Sequence, residues 1–291
     1  MKQPTLSIIT PSYNQAAFLD QTLRSVISQR EQVHEYFVYD GGSNDGSREL
    51  IERYSSQIEH WVSEKDAGQP DVLARGFARA TGDYLAWVNS DDVYMPGALQ
   101  RVREALAKHP EWDVVTGWHV RMDGQSRMIS AHRVAGESTA AARWGSFHPC
   151  QPTAFFRRSF YEKVGGVNPE LHLVMDTELF FRMMDAGAVF GHVPAYIAGF
   201  RRHGESKGVG THQKYASEYD FLDRRYPHYH AKSFKHYLGR AMTKGLRTFS
   251  AGELRSRRDT RDWRGKSIEE VFGPWITNQN KPADNVNNAT P

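Results

Sequence analysis

A single cysteine, Cys150, stands among the 291 residues. One thiol cannot close an intramolecular disulfide, so no disulfide framework holds the fold, and a reducing compartment is the simplest fit. Nothing beside Cys150 forms an activating arrangement, so it reads as a small buried residue and not as a nucleophile. Charge of one sign is lacking too: 37 lysines and arginines against 34 aspartates and glutamates leave a net +3, too little to argue for nucleic acid. No apolar run approaches the length of a membrane span. The N-terminus leads straight into a strand, with no signal-type apolar segment. These absences predict a cytoplasmic protein, with room for peripheral contact at the inner face of a membrane. Glycine is missing where a dinucleotide site needs it: the first strand runs into Thr10-Pro11-Ser12-Tyr13-Asn14, so the Gly-rich fingerprint is absent, as is a P-loop. There is no internal repeat.

What is present is an alternation of short apolar strands and amphipathic helices. Strands are expected at 6–10, 36–39, 60–63 and 84–88, and helices over 15–30, after Asp45, from Pro70 to Ala80, and over 96–109. That spacing predicts βαβ units and a mainly parallel sheet with right-handed crossovers. The second half is more mixed. Strands at 114–120 and 128–134 flank Asp123-Gly124, a hairpin signal. Further strands are expected at 153–156, 189–193 and 196–200, and helices at 158–164, 176–186, 211–226 and 231–249. From about Asn278 the polar tail is expected to be disordered.

Each strand of the first half ends in polar residues, and in an open α/β sheet that edge is where ligands bind. The stretch Trp87-Val88-Asn89-Ser90-Asp91-Asp92 is the centre of this pattern. Two adjacent carboxylates repel unless a cation lies beside them, and a hard divalent ion is the usual partner; the same residues also suit a turn entering a helix. Asp40 at its strand tip can accept hydrogen bonds from a base or ribose, and can equally begin the Gly41-Gly42 turn.

Thr10-Pro11-Ser12-Tyr13-Asn14, Asp40-Gly41-Gly42-Ser43-Asn44-Asp45-Gly46-Ser47, and Gly82-Asp83 running into Asn89-Ser90-Asp91-Asp92 together resemble the family 2 glycosyltransferases of GT-A fold. The likeness covers roughly residues 5–205. It implies a Rossmann-like GT-A domain over 1–205, with a nucleotide-sugar half (1–110) and an acceptor half (111–205), followed by a helical extension (206–277) and the tail (278–291). It further implies a nucleoside-diphosphate sugar donor, UDP-linked first, bound by Thr10, Pro11, Ser12, Tyr13, Asp40, Asp66, Gln69, Asn89 and Asp91. The Asp-rich tip corresponds to the family's DXD motif, with Asn89 at its first position. Metal duty, for Mn²⁺ or Mg²⁺, thus falls on Asp91 and Asp92, Asp92 ahead as direct ligand, with His203 nearby.

By the same resemblance Asp176, in Met175-Asp176-Thr177-Glu178, is the general base of an inverting transfer; Asp176 can also cap its helix. Gln151 and Glu178 are expected on the acceptor side, facing a saccharide or polyprenyl-linked saccharide. The chemistry is coherent. One carboxylate deprotonates the acceptor hydroxyl, and the metal offsets charge growing on the diphosphate. Two other readings share parts of the pattern: a sugar-phosphate nucleotidyltransferase, whose Gly-rich triphosphate loop is absent, and a nucleotide-binding module of the same fold without turnover. Beyond residue 210 the likeness fades. Residues 231–249 read as a basic amphipathic helix suited to an anionic membrane surface, and the aromatic platforms that single-stranded nucleic acid would want are missing.

Overall fold

Leu6–Ser12 forms strand β1, and its alternation decides what lies on either side of the sheet. Leu6 and Ile8 point into one apolar cluster and Ile9 into another, as a period of two requires. Strand β2 (Glu35–Asp40) repeats the pattern, with Tyr36 and Val38 on the first side and Phe37 and Tyr39 on the second. Strands apolar on both faces need a helical layer on each. The computed structural model, which describes residues 3–134, 149–204, 206, 215–230 and 251–275, supplies both layers.

Helix α1 (Ala16–Ile27) lays Leu19, Leu23, Val26 and Ile27 on the first face, joined by Ile51 of α2 (Ser47–Arg53). Helix α3 (Gln69–Arg79), with Pro70 in its first turn, covers the second face through Val72, Leu73 and Phe77. Helix α4 (Ala98–Lys108) returns to the first face with Leu99, Val102 and Leu106. Each such side chain, once fully buried, contributes about 1.5–3 kcal/mol relative to exposure.

Strands β3 (His60–Ser63) and β4 (Tyr84–Trp87) complete a parallel half-sheet in the order β3-β2-β1-β4. Its register aligns Ser12 with Asp40 and Asp40 with Ser63. The polar strand tips therefore converge on one edge, as expected. The second half is mixed. After the short β5 (Val93–Tyr94) come β6 (Val114–Met122), β7 (Met128–His132) and β8 (Phe155–Arg157). β8 pairs antiparallel with both β4 and β6, and β7 pairs antiparallel with β6.

The two strands expected at 189–193 and 196–200 are one, β9 (Phe190–Arg201), parallel to β6. Pro194 falls within its register shift between Val193 and Tyr196, where a missing ladder donor is tolerated. Helices α5 (Arg158–Lys163) and α6 (Met175–Asp185) fall where expected.

Helices α7 (Ala216–Arg225) and α8 (Pro227–His230) follow. Two more, not bounded individually, lie within the helical extension expected over 206–277: α9 (Ala251–Trp263) and α10 (Ile268–Phe272), the latter with a Ser267/Glu270 capping box. Both dock on the sheet. Ile268 is fully buried, and Trp275 is buried with its Nε1 donating to Tyr94 O at 3.0 Å. The helix expected over 231–249 and the tail from 278 lie outside the described residues. Among those described, no helix is long and apolar enough to cross a membrane.

Candidate active site

The β4 tip delivers Asn89, Asp91 and Asp92, and the end of β9 delivers Arg201 and, two residues on, His203. Asp91 Oδ2 and His203 Nε2 are 3.0 Å apart. Asp92 is placed differently. It is fully buried, its Oδ1 accepts the Arg201 backbone N–H at 2.9 Å, and its Oδ2 accepts from Asn89 Nδ2 at 3.3 Å. Burial first, then the neighbouring Asp91 charge, push the Asp92 carboxyl up. Asp92, expected to lead as metal ligand, here ties β9 to the β4 tip, and the carboxylate beside His203 is that of Asp91.

Arg201 holds this corner together. It is 1% exposed, donates from Nε to Asp91 O at 2.7 Å and from one terminal nitrogen to Ser126 Oγ at 2.7 Å, and lies over the Phe18 ring with Cζ 4.8 Å from its centroid. Phe18 also packs on the His203 ring, centroids 4.5 Å apart. Sequence reasoning passed over Arg201 because an arginine beside a histidine at a strand end looks like surface. Only the pairing of β9 next to β5 reveals that it is buried.

At the nucleotide end the expected residues divide. Thr10 is buried, its hydroxyl 2.9 Å from Tyr36 OH, so its side chain belongs to the core and not to a cleft. Pro11 is buried within β1, paired with Tyr39. Ser12 is also buried, with its Oγ lacking a hydrogen-bond partner among the described residues. Tyr13 is 63% exposed. Asp40 is inaccessible, its carboxylate accepting from Ser43 N at 2.9 Å and Ser63 Oγ at 2.6 Å. Of the two tasks open to Asp40, the turn is the one these bonds perform.

Asp66 and Tyr13 close over Gly41. A Cβ there would stand 2.9 Å from Asp66 Oδ2 and 3.2 Å from Tyr13 Cδ2, so a larger residue would push these two side chains aside. Asp66 Oδ1 accepts the Gly68 N–H at 2.8 Å. Gln69 Nε2 donates to Asn89 Oδ1 at 2.7 Å, joining this end to the β4 tip.

On the other side, Gln151 spans from Trp87 O (2.8 Å from its Nε2) towards Asn89. Asp176 is the second residue of α6 and does not cap it; the N-cap is Val174, without a side-chain bond. The loop before α6 is instead held by a residue not anticipated, Glu218 of α7, whose carboxylate accepts the N–H groups of His172 (3.0 Å), Leu173 (2.8 Å) and Val174 (3.1 Å). Asp176 Oδ1 accepts the Thr177 N–H at 2.6 Å, yet burial outweighs this and raises its proton affinity above the ordinary carboxylate value. The Cys150 thiol is pushed up mainly by burial, and the charges of Asp92 and Asp176 add to the shift.

Glu178 is not there. It is buried, and its oxygens are taken by Arg182 (2.7 Å each to Nε and a terminal nitrogen) and by Tyr226 OH (2.7 Å). Helical spacing explains the correction. Residues 176 and 178 are two apart and face different ways, so a half-buried Asp176 goes with an inward Glu178.

A βαβ half-sheet with its polar tips gathered at one edge, continued by a mixed half that carries a second carboxylate, defines a GT-A glycosyltransferase fold. The Glycosyl transferase family 2 profile matches residues 7–165, and the chain belongs to that family of enzymes, which leaves no place for the nucleotidyltransferase alternative. An uncharacterized glycosyltransferase of Mycobacterium tuberculosis is 30% identical over 236 residues, covering 77% of this chain and 86% of that one. The putative teichuronic acid biosynthesis glycosyltransferase TuaG of Bacillus subtilis is 30% identical over 107 residues, 36% of this chain and 42% of TuaG. Among solved structures, residues 1–349 of S. aureus TarS in complex with UDP-GlcNAc superpose with a TM-score of 0.58 at 17% identity, covering 92% of this chain and 78% of that one. The Pyrobaculum calidifontis mannosyltransferase PcManGT in complex with GDP-Man and Mn²⁺ gives 0.52 at 18% identity, covering 89% and 70%.

Proposed function

We propose that this glycosyltransferase moves a sugar from UDP to a hydroxyl of a saccharide or lipid-linked saccharide, with inversion and with Asp176 as base. The observation that carries the reading is the 3.0 Å meeting of Asp91 with His203. One carboxylate and one imidazole suit a divalent cation such as Mn²⁺. No group of three or more such side chains occurs among the described residues, so the donor set fits an ion that draws its other ligands from a diphosphate and water. The Mn²⁺ and nucleotide-sugar complexes of the fold's neighbours support this.

The residues of the chain then take these roles. The exposed Tyr13 ring offers a face for the uracil, and Asp66 Oδ2, turned over Gly41, accepts from its N–H. Asp91 and His203 hold the diphosphate end, where a bound cation would offset charge on the leaving group. Asn89, fixed by Gln69, and Gln151 line the space between donor and acceptor. Asp176 takes the acceptor proton as that oxygen bonds to the anomeric carbon, while the bond to the diphosphate oxygen breaks on the opposite face. Its raised proton affinity suits a base, since proton transfer gains driving force as the pKa approaches the working pH.

Calorimetric titration with UDP, GDP and CDP, with and without Mn²⁺, tests the reading. The expected result is Mn²⁺-dependent UDP binding, lost in Asp91→Ala. Preference for GDP would change the donor class, and failure of every nucleotide to bind would sink the assignment.

A further inference from the structure

Helix α9 lies along the free edge of β7. Thr260 Oγ1 accepts the Ala131 N–H at 2.9 Å, Ser256 Oγ accepts the Arg133 N–H at 2.7 Å, and Met128 O accepts from Gly265 N at 2.9 Å. These bonds close an edge that would otherwise template pairing with another chain. They also leave a groove of about 440 Å³ between helix and hairpin. One wall is the helical stripe of Glu253, Arg257, Arg261 and Arg264, and the other is Ser130 and His132.

The spacing of the stripe is its peculiarity. Arg257, Arg261 and Arg264 stand at i, i+4 and i+7, where neighbours share a helix face and like charges repel. Glu253 is the one acidic residue lining the groove among the described residues, with its Oε1 3.4 Å from Arg257 Nε, and Arg261 Nε meets Asp262 Oδ1 at 2.9 Å. The lining therefore keeps an excess of positive charge. A basic helix face that served only solubility would need no opposing wall, whereas here a serine hydroxyl and an imidazole face the arginines across a cavity. Its volume exceeds what one phosphate needs and falls in the range of small-ligand sites.

The groove opens on the hairpin side that carries Ser130 and His132. β6 and β7 pair His119 with His132 and Arg121 with Ser130, so Arg121 lies on the groove side of the hairpin, one row nearer the strand tip.

We propose that the groove between β7 and α9 is an anion subsite that holds a phosphate or diphosphate group of the acceptor, with Arg257, Arg261 and Arg264 as its cationic ligands and the Ser130 hydroxyl, 2.8 Å from His132 Nε2, beside them. The anion site stands on the groove itself; its service to the acceptor rests on the transfer reaction proposed above.

The test titrates inorganic pyrophosphate into metal-free protein: the unaltered chain, Arg257→Gln/Arg261→Gln, and Asp91→Ala. Saturable binding is expected in the first and third, with at least about a tenfold loss in the double variant, since charge-assisted bonds to Arg are the strong ones. The double variant should keep its far-ultraviolet circular dichroism and its Mn²⁺-dependent UDP binding, which separates failure here from failure of the donor site. No saturable binding, equal binding in the double variant, or loss confined to Asp91→Ala would overturn the anion site. Vesicles of phosphatidylglycerol with phosphatidylcholine, against phosphatidylcholine alone, distinguish the source. Vesicle binding that is absent, or unchanged in the double variant, supports a phosphate on the acceptor; vesicle binding abolished in the double variant would overturn the acceptor assignment in favour of a lipid headgroup.

Discussion

Asp91 Oδ2 and His203 Nε2 stand 3.0 Å apart across 112 residues of chain, brought together because β9 pairs with β5 directly after the β4 tip. The imidazole is oriented from behind by Phe18, which is itself pinned under Arg201. His203→Ala is therefore expected to weaken Mn²⁺-dependent nucleotide binding. Phe18→Ala, which removes no donor atom, should weaken it roughly tenfold by freeing the ring, since groups that orient a ligand are worth about 10–100-fold in metal affinity. Mn²⁺ titration followed by electron paramagnetic resonance reads both. An unchanged Mn²⁺ affinity in His203→Ala would remove His203 from the site.

Asp176 makes a prediction about pH. Burial raises its proton affinity, and the Thr177 hydrogen bonds recover only part of the shift. A base acts only when ionised, so activity should fall as pH drops through this raised value, and the acid limb of kcat/KM should lie above the ordinary carboxylate range. Thr177→Val keeps the backbone bond but loses the 3.2 Å hydroxyl bond to Asp176 Oδ1, and should move the limb further up. Asp176→Asn should cost about 10²–10⁴ in kcat, the usual worth of a general base, with UDP affinity unchanged. A full-rate Asp176→Asn enzyme would end the base assignment.

The half-sheet was legible because its signals are local: strand period, helix period, and polar residues at each tip. Asp91 was singled out from its strand-tip pattern, and Asp176 came from the family resemblance alone. What sequence could not show was which way each side chain turns once distant strands pair. Asp92 and Asp91 are neighbours of one type, and only the Arg201 N–H presented by β9 decides that Asp92 is the buried one. Thr10 looked like a loop residue because β1 was expected to end there, whereas it continues to Ser12 and turns Thr10 towards Tyr36. Helix α9 lies in the expected helical extension, but its bounds could not be read because its stripe is serine, threonine and arginine instead of aliphatic. It docks by hydrogen bonds to a strand edge and not by an apolar face, and hydrophobic periodicity cannot report that.

Glu178 carries the remaining prediction, because two tasks for it predict opposite kinetics. As observed, it joins α6 to Tyr226 after α7 and neutralises Arg182, which also donates to the carbonyls of Val164 and Gly166 at 2.5 Å each. Removing one member of a buried ion pair strands the other, at about 3–5 kcal/mol. Arg182 keeps 22% of its side chain exposed, so the lower end applies. Glu178→Ala should lose about 3 kcal/mol, which at about 2–4 °C per kcal/mol for a chain of this size lowers the melting temperature by roughly 6–12 °C. Below that temperature the acceptor KM should be unchanged, because the side chain never reaches the acceptor space. The opposite pattern, a raised acceptor KM at unaltered melting temperature, would mean that α6 turns during the reaction to expose Glu178. Asp176, two residues away on the same first turn, would then move with it, so the acid limb of the pH profile should shift in Glu178→Ala as well. A fixed helix leaves that limb where Asp176 sets it, and the same variant therefore tests the inward side chain and the rigidity of the base together.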